Sequence, residues 1–427
     1  MSDGAVIEPL DSLDDVDFFD PAVNECPYRA YRTLREQAPV WQDPRTRMWT
    51  LTRYHDVREA ARDVETFSSQ RPRGSSAQAS ADVILQLYRD RGWVPGRTLG
   101  GRDDPEHKQM RALFSHAFRP SRISALEPQI AEIADELMRD CLEASASTGR
   151  CDWVQMMAVP LPLLVIGIQM GADPDDIWRI KAWTDAWVQR LGMMQTPDEV
   201  VRSTEMEIEA QHYFQPIFER LRVEPNDTLL SDLVNTVIPA WGRTLTDEEL
   251  HGEMMADTFV GGSETTTNAI SQALKLLIEH PNQWALLRSD PERFLPVLAE
   301  EAVRLEGPVQ TLFRWTTRDV EVAGTTIPAH SMVALRWGAA NRDESAFERP
   351  DRFDLERTDH KQHVGFGFGT HFCLGAPLAR REIIHAFRAL LRHVDDVGFV
   401  DEANDFSIAP NYVLRALREL HVSFTPR

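Results

Sequence analysis

The sequence predicts a mainly α-helical protein with a few small β-sheets, and two observations support this class. Helical patterns dominate the middle of the chain, including a second helical segment from about Pro291 to Leu305. Short alternating stretches predict only small strands, at 49–54 and between 319 and 333. No Pro/Ser/Gly-rich linker is long enough to divide the 427 residues, so we expect a single domain from residue 1 to residue 427.

The best-marked helix begins after Thr246. Thr246 and Glu249 have the spacing of a capping box, in which each side chain binds the backbone N–H of the other residue. Acidic residues fill the first turn, where the helix dipole favours negative charge. We therefore predict one long helix that runs towards Glu279 and ends near Pro281.

The β structure is predicted to be short. Residues 49–54 alternate between apolar and polar side chains, as in a half-buried strand. Residues 319–333 contain strand-like pieces that Gly324 and Pro328 interrupt. These few pieces beside many helical patterns are typical of a mainly α-helical fold.

The chain carries an excess of acidic residues. It has 46 Lys and Arg against 67 Asp and Glu, which gives a formal net charge of −21. This charge disfavours nucleic acid and anionic membranes as partners. No apolar stretch approaches the ~20 residues of a membrane-spanning helix, and the acidic residues 1–20 lack a signal-peptide pattern. We therefore expect a cytoplasmic protein without a membrane anchor.

The four cysteines are Cys26, Cys141, Cys151 and Cys373. None belongs to a Cys-x-x-Cys pair, so a zinc site or a thioredoxin-type site is not expected. A cytoplasmic location also argues against disulfides. Cys373 alone has a sequence context that indicates chemistry.

Cys373 lies in a glycine-rich loop, 366–375, ahead of a helical stretch at 378–393. Gly367 permits a tight turn, and Gly375 removes a side chain beside the sulfur. The N-terminus of the following helix directs backbone N–H groups at a thiolate and lowers its pKa. A cysteine held in this way is the axial ligand expected of a haem used for O–O cleavage. A buried structural cysteine is the alternative, whereas a phosphate loop would need Gly-Lys-Ser/Thr or G-x-G-x-x-G spacing.

The run from Phe366 to Gly375 resembles the haem-binding signature of the cytochrome P450 monooxygenases, Phe-Gly-x-Gly-x-His-x-Cys-x-Gly, at every fixed position. The resemblance implies a cytochrome P450-like fold enclosing haem b (iron protoporphyrin IX), with Cys373 as the iron ligand. It also implies a monooxygenase that inserts one oxygen atom from O2 into a small hydrophobic organic substrate. Phe366 is then expected to pack beside the sulfur, and Gly367 and Gly375 to shape the haem loop.

Residues 259–267 place glycines and threonines, which are poor helix formers, inside the long predicted helix. The stretch resembles the Ala/Gly-Gly-x-Asp/Glu-Thr motif of the same family. By that resemblance Thr265 hydrogen-bonds dioxygen and Glu264 relays protons from solvent. The alternative is a helix contact made by small residues, with Glu264 in an ordinary salt bridge.

Haem carries two propionates, which need cations or hydrogen-bond donors. The resemblance assigns this role to His107, Arg111, Arg314 and His371. His107 and Arg111 are four residues apart and so share one face of a helix. The alternative for each of the four residues is an ordinary surface charge.

Glu301 and Arg304 match the Glu-x-x-Arg pattern of the family and lie on one face of a predicted helix. In the family a later arginine completes a buried triad, and Arg352 is the position that we match to it. Buried charges are tolerated when they are fully paired, so the predicted role is structural.

Asp257 lies four residues before Gly261 and eight before Thr265, near the same helix face. One hypothesis is that Asp257 faces the substrate pocket and binds a polar or cationic group. The alternative is a structural pair with a nearby Arg or His. The resemblance also predicts that residues 75–100 form a loop over the substrate. It adds further pocket candidates, which are Val260, Gly261, Val309 and Val413.

No flavin or iron–sulfur domain is recognisable, so electrons are expected from a separate partner. The resemblance favours a ferredoxin with its NAD(P)H-dependent ferredoxin reductase, docking on a basic patch that includes Arg119, Arg380 and Arg381. One rival function is a peroxygenase that takes oxygen from H2O2, against which the Glu264–Thr265 pair argues. The other rival is a non-catalytic haem sensor or carrier.

Overall fold

The computed structural model of the protein describes residues 7–71 and 78–427, and within those residues no helix is both long and apolar enough to cross a membrane. Helices prevail, which confirms the mainly α-helical class. The α-helices, numbered in chain order, are α1 Pro21–Glu25, α2 Tyr28–Gln37, α3 Tyr54–Arg62, α4 Gln78–Arg91, α5 Glu106–Ala117, α6 Pro120–Thr148, α7 Pro160–Gln169, α8 Ile177–Leu191, α9 Pro197–Val223, α10 Leu229–Asn235, α11 Asp247–Glu253, α12 Thr265–Glu279, α13 Pro281–Ser289, α14 Pro291–Leu305, α15 Trp337–Ala340 and α16 Ala376–His393. Val154–Ala158 and Met254–Glu264 are π-helices. The 3-10 helices are Leu13–Asp15, Leu99–Gly101, Pro174–Asp176, His360–Gln362, Gly369–His371 and Asp401–Ala403.

The strands are short and form small sheets, as predicted. They are β1 Val40–Gln42, β2 Trp49–Leu51, β3 Phe67–Ser68, β4 Cys151–Asp152, β5 Leu312–Thr316, β6 Val320–Val322, β7 Thr325–Ile327, β8 Met332–Leu335, β9 Val394–Phe399 and β10 His421–Pro426. The sheet orders are β1-β2-β8-β5-β3, β4-β10-β9 and β6-β7. β2 pairs with β8 in parallel, and the other pairs of these sheets are antiparallel.

The chain folds into two compact units. The sheet unit consists of Met1–Ser68, Glu127–Leu161 and Thr265–Arg427, and it holds all the strands named above. The helical unit consists of Ser69–Leu126 and Pro162–Glu264. The single domain from residue 1 to residue 427 stays a prediction, because two compact units can belong to one domain.

The sheet unit is built on a hydrophobic core beneath its five-stranded sheet. Leu51 of β2 lies opposite Leu335 of β8, and both are fully buried. Val57 of α3 packs into the same core. β5 pairs with β8 so that Arg314 lies opposite Val333, which places this arginine on a strand held by the core.

The helical stretch after Thr246 departs from the prediction of one continuous α-helix. The capping box is confirmed, because the Glu249 N–H donates to Thr246 Oγ1 at 3.3 Å and the Thr246 N–H donates to Glu249 Oε2 at 3.0 Å. However, α11 gives way to the π-helix Met254–Glu264, and α-helical bonding resumes at Thr265. In a π-helix the hydrogen bonds join residues i and i+5, and such segments are frequent at functional sites.

The helix predicted from Pro291 to Leu305 is confirmed as α14. The Asp290 side chain caps it by accepting a hydrogen bond from the Arg293 N–H at 3.3 Å, and the proline occupies the first turn, where its missing N–H costs nothing. Glu301 and Arg304 lie on one face of α14 and are almost fully buried. Arg304 binds both carboxylate oxygens of Glu301, at 2.7 and 2.8 Å.

The match of Arg352 to the third position of this triad is wrong. The guanidinium that reaches Glu301 belongs to Arg357, whose Nε donates to Oε1 at 3.1 Å. Arg352 contributes its backbone carbonyl, which accepts hydrogen bonds from Arg304 and Arg357. Its own side chain stays one third exposed and lies 3.9 Å from Asp354. The backbone turn therefore directs Arg357 inward and Arg352 outward.

The segment 75–100 is helical in large part and so is not the loop that was expected. Residues 75–77 lie outside the described residues, and α4 occupies Gln78–Arg91. The helix contains neither Gly nor Pro, so its propensity is favourable. After α4, Trp93 exchanges two hydrogen bonds of 2.9 Å with the Gln211 side chain, which fixes the chain within the helical unit.

Candidate active site

The loop that carries Cys373 depends on glycine at defined points. Gly367 and Gly369 have φ angles of +75° and +72°, a region that favours glycine. A Cβ atom on Gly369 would also lie 2.9 Å from the carbonyl oxygen of Ala61. A Cβ on Gly365 would meet Val303 Cγ1 at 2.6 Å. These glycines therefore let the loop lie closely against its own unit.

Cys373 is held by its backbone at the end of this loop. Its N–H donates to the Phe366 carbonyl oxygen at 2.9 Å, which closes the turn, and its side chain is half-buried. α16 begins three residues later at Ala376. A Cβ on Gly375 would lie 3.8 Å from Cys373 Sγ, so glycine leaves one side of the sulfur clear. The positive end of α16 follows directly and favours a thiolate.

An ion-pair network adjoins the Phe366 ring. The Arg380 guanidinium lies over this ring at 4.5 Å from its centroid, and the ring centroid of His363 is 5.6 Å away. Arg380 and His363 both bind Glu300, His363 Nε2 at 2.8 Å from Oε2. Burial alone raises the pKa of Glu300, but hydrogen bonds from His363 and Arg380 outweigh it and hold this pKa at about 2. A permanent carboxylate thus anchors the cation beside Phe366.

Two of the predicted propionate-binding residues lie in the sheet unit. Arg314 is buried on β5, where its Nη1 donates to the Phe313 carbonyl oxygen at 2.8 Å. His371 is half-buried in the 3-10 helix Gly369–His371, two residues before Cys373. Arg314 thus lies on a strand that pairs with the buried strand β8, and His371 lies in the loop that carries Cys373.

The other two predicted propionate-binding residues lie in the helical unit. His107 and Arg111 occupy consecutive turns of α5, and His107 is fully buried. His107 Nδ1 lies 3.5 Å from Asp104 Oδ1. Burial lowers the pKa of His107, and the charge of Arg111 lowers it further. The pair therefore presents a neutral imidazole beside a permanent cation.

Glu264 is a buried acid with partners on α8. Its Oε1 accepts a hydrogen bond from the Thr184 hydroxyl at 2.7 Å and lies 3.3 Å from Lys181 Nζ. Lys181 also pairs with Asp185, whose side chain is half-exposed. Burial raises the pKa of Glu264, and the charge of Lys181 opposes that rise. The three charged groups thus form a line from the surface of the helical unit to a buried carboxyl.

Sequence reasoning missed Lys181 and Thr184 as the partners of Glu264. They lie about eighty residues away along the chain, and no local spacing links them to it. The sequence neighbour Thr265, predicted to act with Glu264, is half-buried at the start of α12. The Glu264–Thr265 pair of the predicted motif therefore lies at the point where π-helical hydrogen bonding changes to α-helical hydrogen bonding.

The pocket candidates differ in their surroundings. Val309 and Leu414 form an isolated antiparallel bridge, and the Gln310 N–H donates to the Val413 carbonyl oxygen at 2.8 Å, so the two predicted segments of the sheet unit do meet. In the helical unit, Gly261 is exposed and Val260 is buried.

Asp257, also in the helical unit, is exposed on the π-helix. Its Oδ2 accepts a hydrogen bond from the Gly100 N–H at 2.8 Å. Among the described residues, no Arg or His pairs with Asp257, so the structural pair proposed as an alternative is not formed there.

Comparisons with known proteins agree with this arrangement. A family model described as cytochrome P450 matches residues 38–395. The chain is similar to a putative cytochrome P450 123 of Mycobacterium tuberculosis (33% identity, 96% of this chain and 97% of that protein) and to a steroid C26-monooxygenase of the same species (31% identity, 93% of each). It is also similar to the solved structure of cytochrome P450 CYP109Q5 from Chondromyces apiculatus, with a TM-score of 0.81, 32% identity and coverage of 97% of this chain and 100% of that chain. The chain belongs to the cytochrome P450 family and is an oxidoreductase of the monooxygenase type.

The family uses haem as its cofactor, and the residues of this chain suit that group. The cysteine loop presents one half-exposed thiol, and glycine at position 375 keeps the space beside the sulfur open. Gly261 of the π-helix likewise presents bare backbone, because within the described parts of the chain a Cβ there would meet only the Ala256 carbonyl oxygen, at 3.9 Å. Open backbone of this kind admits a flat ligand.

Proposed function

We propose that this cytochrome P450 binds haem b through Cys373 and inserts one oxygen atom from O2 into a small hydrophobic organic substrate. The geometry at Cys373 carries the proposal. Its N–H donates to the Phe366 carbonyl oxygen, glycine at position 375 leaves space beside the sulfur, and a helix N-terminus follows. Bound haem supplies the redox and oxygen-activating chemistry. The chain supplies the thiolate, the placement of the substrate and the protons.

His107, Arg111, Arg314 and His371 are proposed to bind the propionates. Each is a hydrogen-bond donor or a cation on a fixed element, and two of the four carry permanent guanidinium charges. Phe366 is proposed to exclude water from the sulfur, since its ring packs against His363, Phe372 and the Arg380 guanidinium. The remaining proposed residues are the haem-loop glycines Gly367 and Gly375 and the pocket-lining Val260, Gly261, Val309 and Val413.

Glu264 is proposed to deliver protons, and Thr265 to hold dioxygen by a hydrogen bond. The line from half-exposed Asp185 through Lys181 to buried Glu264 supports the first role, because it connects solvent to a carboxyl inside the helical unit. A carboxyl whose pKa is raised by burial binds and releases protons closer to neutral pH. Thr265 follows Glu264 directly in the chain and is half-buried at the start of α12.

The absorbance spectrum of the reduced protein with carbon monoxide tests the proposal. A strongly red-shifted Soret band is expected for the wild type and for Cys26→Ser, whose exposed cysteine serves as the matched control. Cys373→Ser should lose this band. A band at the position typical of histidine ligation in the wild type, or an unchanged band in Cys373→Ser, would overturn the assignment of the ligand.

Electrons are proposed to come from a ferredoxin and an NAD(P)H-dependent ferredoxin reductase in the cytoplasm. Arg380 and Arg381 of α16 were predicted to dock this partner, but Arg380 also holds Glu300. Arg381 binds Glu127 and is the cleaner test. Arg381→Gln should slow reduction by the partner and leave substrate affinity unchanged. Arg392→Gln, which removes an ion-paired arginine at the far end of the same helix, is the control.

The third predicted docking residue, Arg119, lies in the helical unit and pairs with Asp232 at 3.2 Å. Equal reduction rates for wild type, Arg381→Gln and Arg119→Gln would defeat the basic-patch proposal. The experiment should be run at low salt, because exposed charges are screened beyond ~10 Å at 0.1 M ionic strength. Fractionation of the producing cells tests the cytoplasmic location.

A further inference from the structure

The π-helix Met254–Glu264 has one open face. Most of its side chains are buried, but Asp257 and Gly261 are exposed, and Ala256 and Gly262 are partly so. Positions four to five residues apart share a face when hydrogen bonds join residues i and i+5. Among the described residues, nothing beyond the helix itself would contact a Cβ on Gly261 within 4 Å. The open face thus carries bare backbone at one position and a carboxylate one turn earlier.

The Asp257 carboxylate is fixed in place but keeps unused hydrogen-bonding capacity. Gly100 donates its N–H to Oδ2 at 2.8 Å, and the Thr98 hydroxyl lies close by. A carboxylate has about four acceptor sites, so these two donors leave part of it available. Among the described residues, no Lys, Arg or His pairs with it. The exposed carboxylate is thus preorganised without a cation of its own.

A second acid lies close to Asp257 on the same helical stretch. Glu253, one turn before Asp257, is buried, and its Oε1 accepts a hydrogen bond from the Leu99 N–H at 2.5 Å. Its Oε2 has no hydrogen-bond partner among the described residues. Burial raises the pKa of both acids, and the charge of Asp257 raises that of Glu253 further.

The neighbouring arginine is already engaged. Arg102 lies close enough to lower the pKa of Glu253, but its guanidinium binds Glu106 at 2.9 Å and Glu249 at 3.3 Å. Arg102 is therefore engaged with other carboxylates and does not pair with Asp257. Desolvation by the surrounding protein raises the pKa of Asp257, and the residue nevertheless keeps exposed surface that a ligand can reach.

We propose that Asp257 binds the positively charged nitrogen of the substrate, so that the enzyme selects hydrophobic amines over neutral molecules of the same shape. The inference rests on the proposed function, because it assigns the open face of the π-helix to substrate. A desolvated carboxylate with free acceptor sites gains most from a cation, and a charged hydrogen bond is stronger than a neutral one. The hydrophobic remainder of the substrate then lies along the bare backbone at Gly261.

The test compares two probes on the haem-loaded enzyme. One is a long-chain alkyltrimethylammonium ion, which cannot ligate iron, and the other is the fatty alcohol of equal chain length. Binding is measured by calorimetry below the micelle concentration, with the Soret shift as a second readout. Wild type should prefer the ammonium ion, and Asp257→Asn should weaken its binding about 10- to 100-fold, because the variant removes the carboxylate charge that pairs with this cation. The alcohol should bind both proteins equally.

Asparagine retains an acceptor for the Gly100 N–H, so the fold of this segment should survive, and unchanged alcohol affinity verifies that. Equal weakening of both probes, or no change in either, would overturn the proposal and leave Asp257 as a cap of residues 98–101. If Asp257→Asn does not fold, the wild-type preference decides: equal affinity for the two probes also overturns it. A missing red-shifted carbon monoxide band in the wild type would instead count against the proposed function.

Discussion

Arg357 reaches Glu301 in the interior of the sheet unit, with Nε 3.1 Å from Oε1. Glu301 and Arg304 are at most 1% exposed, so this carboxylate is shielded from solvent between two guanidinium groups. Arg357 also donates to nearby backbone carbonyl oxygens and to Asp359. Such complete pairing is the condition under which buried charges are tolerated.

Replacing Arg357 with Met should therefore destabilise the protein strongly. Removing one partner of a buried pair costs about 3–5 kcal/mol, because a charge is left without compensation. Arg352→Met is the matched control and should cost about 0.5 kcal/mol, the range of surface substitutions, since its side chain is partly exposed. Urea unfolding followed by circular dichroism and by haem absorbance measures both. Equal losses of unfolding free energy in the two variants would contradict the assignment of Arg357, and not Arg352, to the triad.

The two arginines also show where sequence reasoning stops. Glu301 and Arg304 could be assigned because they are three residues apart on a helix, and that spacing alone puts them on one face. Arg352 and Arg357 lie in one irregular segment, where no periodicity decides which side chain turns inward. Only the path of the backbone settles the choice.

Local rules predicted helix ends well and the helix type poorly. The Thr246 capping box and the proline at 291 are short-range signals, and both helices begin there. The π-helix depends on tertiary packing: a Cβ on Gly262 would already press on Ile166 at 3.3 Å. The partner of Glu264, Lys181, is likewise set by the approach of a distant helix.

The two charges near Glu264 should shift the pH dependence of turnover in opposite directions. Lys181 lowers the pKa of Glu264 and Asp185 raises it. Turnover needs the ionised carboxylate to accept the next proton, so it falls on the acid side of this pKa. Lys181→Met should therefore move the acid limb of kcat/KM to higher pH, and Asp185→Asn should move it to lower pH.

Glu264→Gln sets the reference for this pair of variants. It should lower turnover about 100-fold, the lower end for loss of general acid–base catalysis, while the carbon monoxide spectrum stays unchanged. The acid limb seen in the pH profile of the wild type should be absent from the profile of Glu264→Gln. If the acid limbs of Lys181→Met and Asp185→Asn both moved in the same direction, the electrostatic account would be contradicted. The result would indicate a structural effect on α8.

The glycines of the cysteine loop should tolerate alanine very differently. At Gly369 the backbone has φ +72° and a Cβ would lie 2.9 Å from the Ala61 carbonyl oxygen, so Gly369→Ala must distort the loop. At Gly375 the new Cβ would lie 3.8 Å from Cys373 Sγ, an ordinary contact. We expect Gly369→Ala to lose most haem binding and Gly375→Ala to retain it. Haem content per protein measures this, and equal haem content in both variants would contradict the loop geometry.

The Glu300 network should stabilise the protein only above acidic pH. The pKa of Glu300 is about 2 in the folded protein against 4.5 ordinarily, because His363 and Arg380 outweigh the effect of burial. At 1.36 kcal/mol per pKa unit the contribution at neutral pH is about 3 kcal/mol. Since the folded pKa is depressed, this contribution is complete above pH 4.5 and is lost as the pH falls towards 2.

Glu300→Gln should therefore lower the free energy of unfolding by about 3 kcal/mol at neutral pH, and the difference from wild type should shrink below pH 4.5. Urea unfolding at a series of pH values measures it. Glu127→Gln is the control, because Glu127 also binds an arginine and a histidine of α16 but is more than one third exposed. Its loss should stay below about 1 kcal/mol, as for surface pairs. A Glu300→Gln difference that persists unchanged in acid would mean that packing, and not charge, makes this residue stabilising.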